Sequence, residues 1–394
     1  MKDYWEEAEI KTINKKKMLI TIAIAVVMVV IFANIIIYIS NKPAREWIDK
    51  NIFRKEVKQD NVTTIELKDS QNANIYAFNK YIGILNKNKF TIYNNTGSQE
   101  KNLEVQVSNP IFDSANRFLV MGEKKGKKLY LITDKDIAWE AEVEGNISQV
   151  HVNKNGYVAV VITDTINKTV INVYSPEGEG KAMFKTYLSS TRTADVAISN
   201  DNKHLAIAEV DTSGTIIQSN IKIISTDKAS TDPTNSLENI YKSEAGKLIT
   251  NIKYQDRDKL VCMYTDSIHM IENNQESTLM NHQNKKMIFQ CIDLTNHAIE
   301  VEEKSSGLFT ADSVVNIMNT DNKGTKEYTV NFVTKEIYTY GNIIALNLGT
   351  EIEFINTDGW LVKRYVANQE ITNIVVSDNI AGIIYRDRIE IINL

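Results

Sequence analysis

One unit recurs along this chain and restricts what it can fold into. It is an apolar run of four to eight residues, a polar turn of Asn, Asp or Ser, and a second apolar run that often holds a small residue. Clear copies are "IFDSANRFLVMG" from Ile111, "VHVNKNGYVAVVI" from Val150, "VAISNDNKHLAIA" from Val196, "IKYQDRDKLVCMY" from Ile252 and "IVVSDNIAGIIY" from Ile374. Weaker copies start at Tyr76, Gln290 and Ile337. No long stretch of helical period interrupts them after residue 61, and such runs bounded by turn residues read as strands. A third strand and usually a fourth follow each copy, as in residues 128–143, 169–188 and 351–366, the last with an Asp358–Gly359 hairpin turn.

The unit is therefore a four-stranded antiparallel meander. First strands are expected near residues 73, 109, 146, 193, 248, 286, 333 and 370, a spacing of roughly 36 to 55 residues that matches propeller blades. Second strands such as "YVAVVI" and "HLAIA" are apolar throughout, which suits sheets covered on both faces. A sheet this small cannot bury two faces alone. Stacking each blade on the next buries both, and closing the circle leaves no orphan face. The expected fold is all-β, an eight-bladed β-propeller with seven blades as the alternative, preceded by one transmembrane α-helix.

Closure has its own signature. The last blade has a first strand near 370–376, a second at 379–385 and a third at 388–394, but no fourth. "VTTIEL", residues 62–67, is a strand with no local partner. The expectation is that 62–67 pairs with 388–394 and completes the final blade, since a bare apolar edge invites fraying or aggregation.

"MLITIAIAVVMVVIFANIIIYI", Met18 to Ile39, is long enough to cross a hydrocarbon core of about 30 Å. It exceeds the roughly 7–15 apolar residues of a cleaved signal peptide. It reads as an uncleaved signal anchor. Lys15, Lys16 and Lys17, with Lys11 before them, favour a cytoplasmic N-terminus, against the basic residues Lys42, Arg45, Lys50, Arg54, Lys55 and Lys58 on the other flank. The layout is a cytoplasmic tail at 1–17, a membrane helix at 18–39, a juxtamembrane linker at 40–60 in which Pro43 breaks the helix, and an extracellular propeller at 61–394.

The turns "Ser199–Asn200–Asp201–Asn202" before Leu205–Ala206, and "Asn153–Lys154–Asn155–Gly156" before Val158–Ala159, resemble those of bacterial WD40-like and quinoprotein-like propeller repeats. The layout as a whole is similar to an uncharacterised Gram-positive family of single-pass membrane-anchored propeller proteins. That resemblance implies fold and location and no activity. The Trp-Asp and Gly-His pairs of true WD40 repeats are missing, as are the tryptophan docking motifs of quinoproteins. Neither a WD40 partner surface nor a pyrroloquinoline quinone site carries over.

Composition narrows the function classes. A formal net charge of -5 over 394 residues, with both signs spread along the chain, does not fit a nucleic-acid binder, which concentrates basic residues on one face. Two cysteines, Cys262 and Cys291, are too few for a disulfide scaffold. Two buried free thiols are expected, with one bridge as the alternative. No phosphate-binding loop, dinucleotide fingerprint, nucleophile elbow or zinc-protease motif is present. The five histidines, His151, His204, His269, His282 and His297, lack ligand-like spacing. The acidic stretch 319–327, with Asp321, Asn322 and Gly324, lacks the ligand order of a calcium loop and reads as an ordinary turn.

No catalytic, cofactor-binding or metal-binding residue is assigned, and no cofactor is expected. The leading expectation is a membrane-tethered, non-enzymatic scaffold with a protein or cell-envelope partner. The insertions 211–220 and 225–239 are its expected binding rim. The alternatives are an envelope hydrolase or lyase at the channel mouth, with Asp113, Asp195 and Asp293 as its candidate acids, and a sensor signalling through the helix.

Overall fold

The computed structural model describes residues 15–53, 55–56, 62–67, 73–255, 258–282, 285–307 and 310–394; the predicted tail at 1–17 lies almost wholly outside them. The chain divides into two units, Met1–Glu56 and Val57–Leu394.

The first unit holds α1, Lys15–Ser40, and α2, Lys42–Asn51. Among the described residues α1 is the helix long and apolar enough to cross a membrane. Its apolar side chains, Leu19, Val29 and Ile36 among them, are exposed. The linker differs from expectation. The membrane helix ends at Ser40, just before Pro43 as expected, but a second helix follows at once: Pro43 stands in the first turn of α2, and the Asn41 side chain caps that helix by accepting from the Ala44 N–H at 3.0 Å. Proline lacks only an N–H that the first turn leaves unpaired anyway, and asparagine is a strong N-cap. The corner between the helices is held by Asp49, which accepts from the Tyr38 hydroxyl at 2.7 Å and pairs with Lys55 at 2.8 Å.

In the second unit, 32 described strands form eight four-stranded sheets, so eight blades and not seven. Blades 1 to 7 are consecutive meanders. They span Ala73–Glu104, Pro110–Glu142, Asn146–Leu188, Arg192–Lys242, Ile249–Asn281, Met287–Val330 and Glu336–Val366. Blade 8 takes three strands from Asn373–Asn393 and its fourth from Thr63–Glu66. Thr63 lies opposite Ile391 and Glu66 opposite Arg388, and the Leu67 N–H extends the ladder to the Asp387 carbonyl at 2.8 Å.

The first strand of every blade touches the first strand of the next, and blade 8 touches blade 1. These eight inner strands surround the axis. They run from one face of the ring, here called the upper, to the other, the lower; the loop after each second strand is again on the upper face. The blades stack through apolar layers. Ile82 and Ile84 of blade 1 meet Ile380, Ile389 and Ile391 of blade 8, with Ile65 of the closing strand against them. Each buried Ile contributes about 1.5–3 kcal/mol relative to exposure, so this seam favours the closed ring. Fourth strands add aromatic side chains that reach the following blade. Trp139 Nε1 donates to the Ser175 carbonyl at 3.1 Å, and the Tyr328 hydroxyl to Glu353 at 2.9 Å. Tyr365 repeats the arrangement by donating to Glu390.

The two insertions of blade 4 do not share a rim. Residues 212–217 follow its second strand, on the upper face, whereas 226–236 follow its third strand, on the lower. In an antiparallel meander successive loops must fall at opposite ends. The second insertion is moreover folded: Ser225 caps a short helix, Thr226–Thr231, whose Thr226 and Ala229 are buried.

Candidate functional site on the propeller axis

Each inner strand presents one edge to the axis with no fifth strand to pair it, so its backbone needs other partners. Two carboxylates supply them. Asp113 of blade 2 accepts from the Val152 N–H of blade 3 at 2.9 Å and from its own neighbour Ser114 at 2.8 Å. Asp195 of blade 4 does the same for Ile252 of blade 5 at 2.8 Å and for Val196 at 2.9 Å.

The remaining contacts continue around the ring as a belt. His151 Nε2 of blade 3 lies 3.1 Å from Asp195 Oδ1, within ion-pair distance but without hydrogen-bond geometry. Lys253 of blade 5 pairs with Asp293 of blade 6 at 3.1 Å. Cys291 Sγ of blade 6 is 3.2 Å from Thr339 Oγ1 of blade 7. The Ser377 hydroxyl of blade 8 donates to the Asn79 carbonyl of blade 1, and Ser114 reaches the Ala77 carbonyl at 3.4 Å. A register shift between Cys291 and Leu294 accompanies an approach of the Asp293 N–H to 3.3 Å from the Cys291 sulfur, as a bulge re-aims a side chain.

The electrostatics follow from enclosure and pairing. Burial pushes the Asp195 carboxyl up, opposed by His151 and the two N–H donors. The Lys253 ammonium holds the Asp293 carboxyl below its usual range, and Asp293 in turn raises Lys253, with Asp113 adding to it. Both members of that pair keep 40% and 59% of their side-chain surface open, so the pair is solvated and screened rather than a buried salt bridge. Burial, and then the Asp293 charge, push the Cys291 thiol up to about 12. A thiol so placed is a poor nucleophile at neutral pH.

The three candidate acids are thus brought to one belt, yet two of them are occupied by backbone donors and the third by a lysine. Sequence reading missed Lys253 and Cys291 as their companions; the alternation within "IKYQ" and "QCID" was the available signal. The histidines remain apart: His204 contacts Glu238 at 3.2 Å, His269 contacts Glu276 at 2.8 Å, His282 contacts Glu300 at 2.5 Å, and His297 Nδ1 is 2.6 Å from the Thr295 carbonyl. Both cysteines are free, Cys262 buried and Cys291 partly so. Among the described residues no group of three His, Cys, Asp or Glu side chains is arranged to hold a metal ion. In 319–327, Asn319 Oδ1 accepts from the N–H groups of Asp321 and Asn322, and Asp321 pairs with Lys259 of blade 5.

The turns that carry the repeat resemblance join neighbouring blades. Asn153 Nδ2 donates to the Ser199 carbonyl at 3.0 Å and Asn155 Nδ2 to that of Asn200 at 2.8 Å. Asn200 continues to the Gln255 carbonyl at 3.2 Å, and Gln255 Nε2 to that of His297 at 2.7 Å. Gly156 has φ +85°, and a Cβ there would meet the Phe118 ring at 2.7 Å; glycine alone satisfies both demands.

A second feature lies at the upper mouth of the axis. A cavity of about 1130 Å³ opens between blades 8, 1 and 2, walled by the starts of their inner strands and by the 385–387 turn. Phe112 projects there with 45% of its surface exposed, edge-on to Tyr76 at a centroid distance of 4.2 Å. At the lower end of the same sector, Tyr340 of blade 7 reaches over to the Asn116 carbonyl of blade 2, 3.5 Å away.

Fold and axis together define an eight-bladed β-propeller whose inner strands are tied by a polar belt, with an apolar helix at its N-terminal side. The chain belongs to the family described as "Family of unknown function (DUF5711)", whose model matches residues 54–394. Solved structures share the fold. BamB from Moraxella catarrhalis has a TM-score of 0.51 at 13% identity over 84% of this chain and 98% of that one. Sqt1 from Chaetomium thermophilum, bound to the N-terminus of the ribosomal protein L10, has a TM-score of 0.50 at 8% identity over 84% of this chain and 98% of that one. No curated protein matches the sequence.

Proposed function

We propose that this protein is a non-catalytic binding module, tethered to the cell membrane by α1, that offers the upper face of its propeller to a protein partner at the cell envelope. The observation that carries the proposal is the cavity at the upper mouth, set beside a belt whose acids are already engaged. Asp113 and Asp195 hold backbone donors, Asp293 holds Lys253, and the Cys291 thiol is held protonated. None of these is poised as a general acid or nucleophile. The tether rests on the exposed apolar length of α1, on the Lys15–Lys17 block that favours an N-terminus inside the cytoplasm, and on Trp47, which is 61% exposed beyond the helix.

Crosslinking in intact cells followed by pull-down tests this reading. Photoreactive residues placed on the upper face, at Asn74 and at Ile216, are expected to give discrete protein adducts; one at Asp358 on the lower face is expected to give none. An absence of adducts from every upper-face position, or turnover of an envelope glycan or peptide by the purified chain, overturns it.

A further inference from the structure

The upper-mouth cavity has a definite chemistry, and we infer that it binds an extended peptide segment bearing an aromatic or large aliphatic side chain next to a carboxylate. The inference deepens the binding-module reading and rests on it. Size comes first. At about 1130 Å³, the cavity is somewhat larger than the roughly 300–1,000 Å³ usual for small-molecule sites. Several residues of a polypeptide fit the space; a compact metabolite would leave much of it empty.

The lining decides the rest. Its floor is apolar: Ile75, Phe112, Ile371 and Ile384, with Tyr76 beside Phe112. A phenylalanine nearly half exposed within an inner strand is out of keeping with the repeat. The large apolar side chains of the other inner strands, Ile75, Phe289 and Ile337 among them, are buried or half-buried, whereas Phe112 is exposed. An exposed aromatic in a concave site is the usual anchor for a partner's apolar side chain. The rim carries charges of both signs. Asp387 is taken by Arg388 at 3.3 Å, whereas Arg386 and Glu370 are exposed and have no ion pair among the described residues. A guanidinium with no ion pair among the described residues, beside an apolar floor, is a receptor for a carboxylate, which it binds through two parallel N–H donors. Glu370 is available to a basic residue or a peptide N–H. Asn74, Gln369, Thr372 and Asn373 complete the wall with amide and hydroxyl groups able to bond a peptide backbone.

The test uses the full chain in detergent micelles and an array of synthetic 12-residue peptides. Each peptide has Phe, Leu or Lys at a fixed position, with Glu, Lys or Ser two to four residues away. The chain is expected to select the Phe–Glu and Leu–Glu peptides. In fluorescence anisotropy, Phe112→Ala and Arg386→Glu are each expected to weaken the selected peptides by tenfold or more. Arg386→Glu is further expected to shift selection toward Phe–Lys peptides. Phe332→Ala, on the same face but outside the cavity, is expected to leave binding unchanged. Phe112 is already 45% exposed, so its truncation should leave thermal unfolding near that of the parent, which the same samples check.

Equal binding by all variants overturns the inference. So does an array with no selected peptide, or binding of chitin oligosaccharides in place of peptides. If the array fails while Ile216 still captures a protein in cells, the cavity assignment falls and the binding-module reading stands. If both fail, neither survives.

Discussion

At the residue scale, the informative groups are carboxylates that accept from backbone N–H groups of their own and the neighbouring blade. Asp195 is buried and accepts two backbone N–H groups, one from its own strand and one from the neighbouring blade. Hydrogen bonds to a charged acceptor are worth about 1.5–3 kcal/mol, and removing the acceptor leaves the donors unsatisfied. Asp195→Ala is therefore expected to destabilise the propeller by on the order of 2–3 kcal/mol, visible as a lowered Tm. His151→Ala should cost much less, because its contact with Asp195 lacks hydrogen-bond geometry. A Tm unchanged by Asp195→Ala sinks the idea that this side chain ties blades 4 and 5. The turn motif around Ser199 was legible as a turn. That its carbonyls would receive Asn153 and Asn155 was not, because a side chain's reach into the next blade depends on the angle between two sheets.

Single elements decide closure. The strand Thr63–Glu66 is short, yet it covers an edge that would otherwise lie bare. In an antiparallel ladder, hydrogen-bonded pairs alternate with unbonded ones. The Leu67 N–H is bonded to Asp387, so Thr63, opposite Ile391, is in a bonded pair, and Thr64, opposite Glu390, is not. Thr63→Pro is expected to remove a ladder bond worth about 0.5–1.5 kcal/mol net and to expose the C-terminal strand to limited proteolysis. Thr64→Pro, whose missing N–H faces outward, should be tolerated as edge prolines are. Equal susceptibility of the two variants sinks the closure argument. The same scale explains two departures from expectation. A proline that ends one helix is well placed to start the next once asparagine precedes it, and an insertion's face is set by which strand it follows.

The whole molecule pairs a propeller with an exposed apolar helix, and the proposed membrane location is tested on both. Under alkaline carbonate extraction the full chain is expected to remain with membranes, and a variant lacking residues 15–40 to leave them. Orientation is checked with a membrane-impermeant maleimide. Asp358→Cys, on an exposed propeller turn, should label in intact cells, and Asp3→Cys only after lysis. The native thiols give little background, since Cys262 is buried and Cys291 has its thiol raised to about 12. Labelling in the reverse order places the propeller on the other side and removes an envelope partner from consideration.

The amino-acid sequence by itself determined the blade unit, the helix and the closing strand, and favoured eight blades over seven. Those follow from short-range periodicity: apolar runs of strand length, turns that need Asn, Asp or Gly, and a strand count that leaves one blade short by one. Tertiary structure alone decided what the axis holds. Asp113, Asp195 and Asp293 look alike as letters. Their occupation by Val152, Ile252 and Lys253 depends on how eight sheets meet around a common line. Phe112 and Arg386 stand 274 positions apart in the sequence and share one cavity because the ring brings blade 8 round to blades 1 and 2. Local pattern records which residues want burial; only closure records which of them become neighbours.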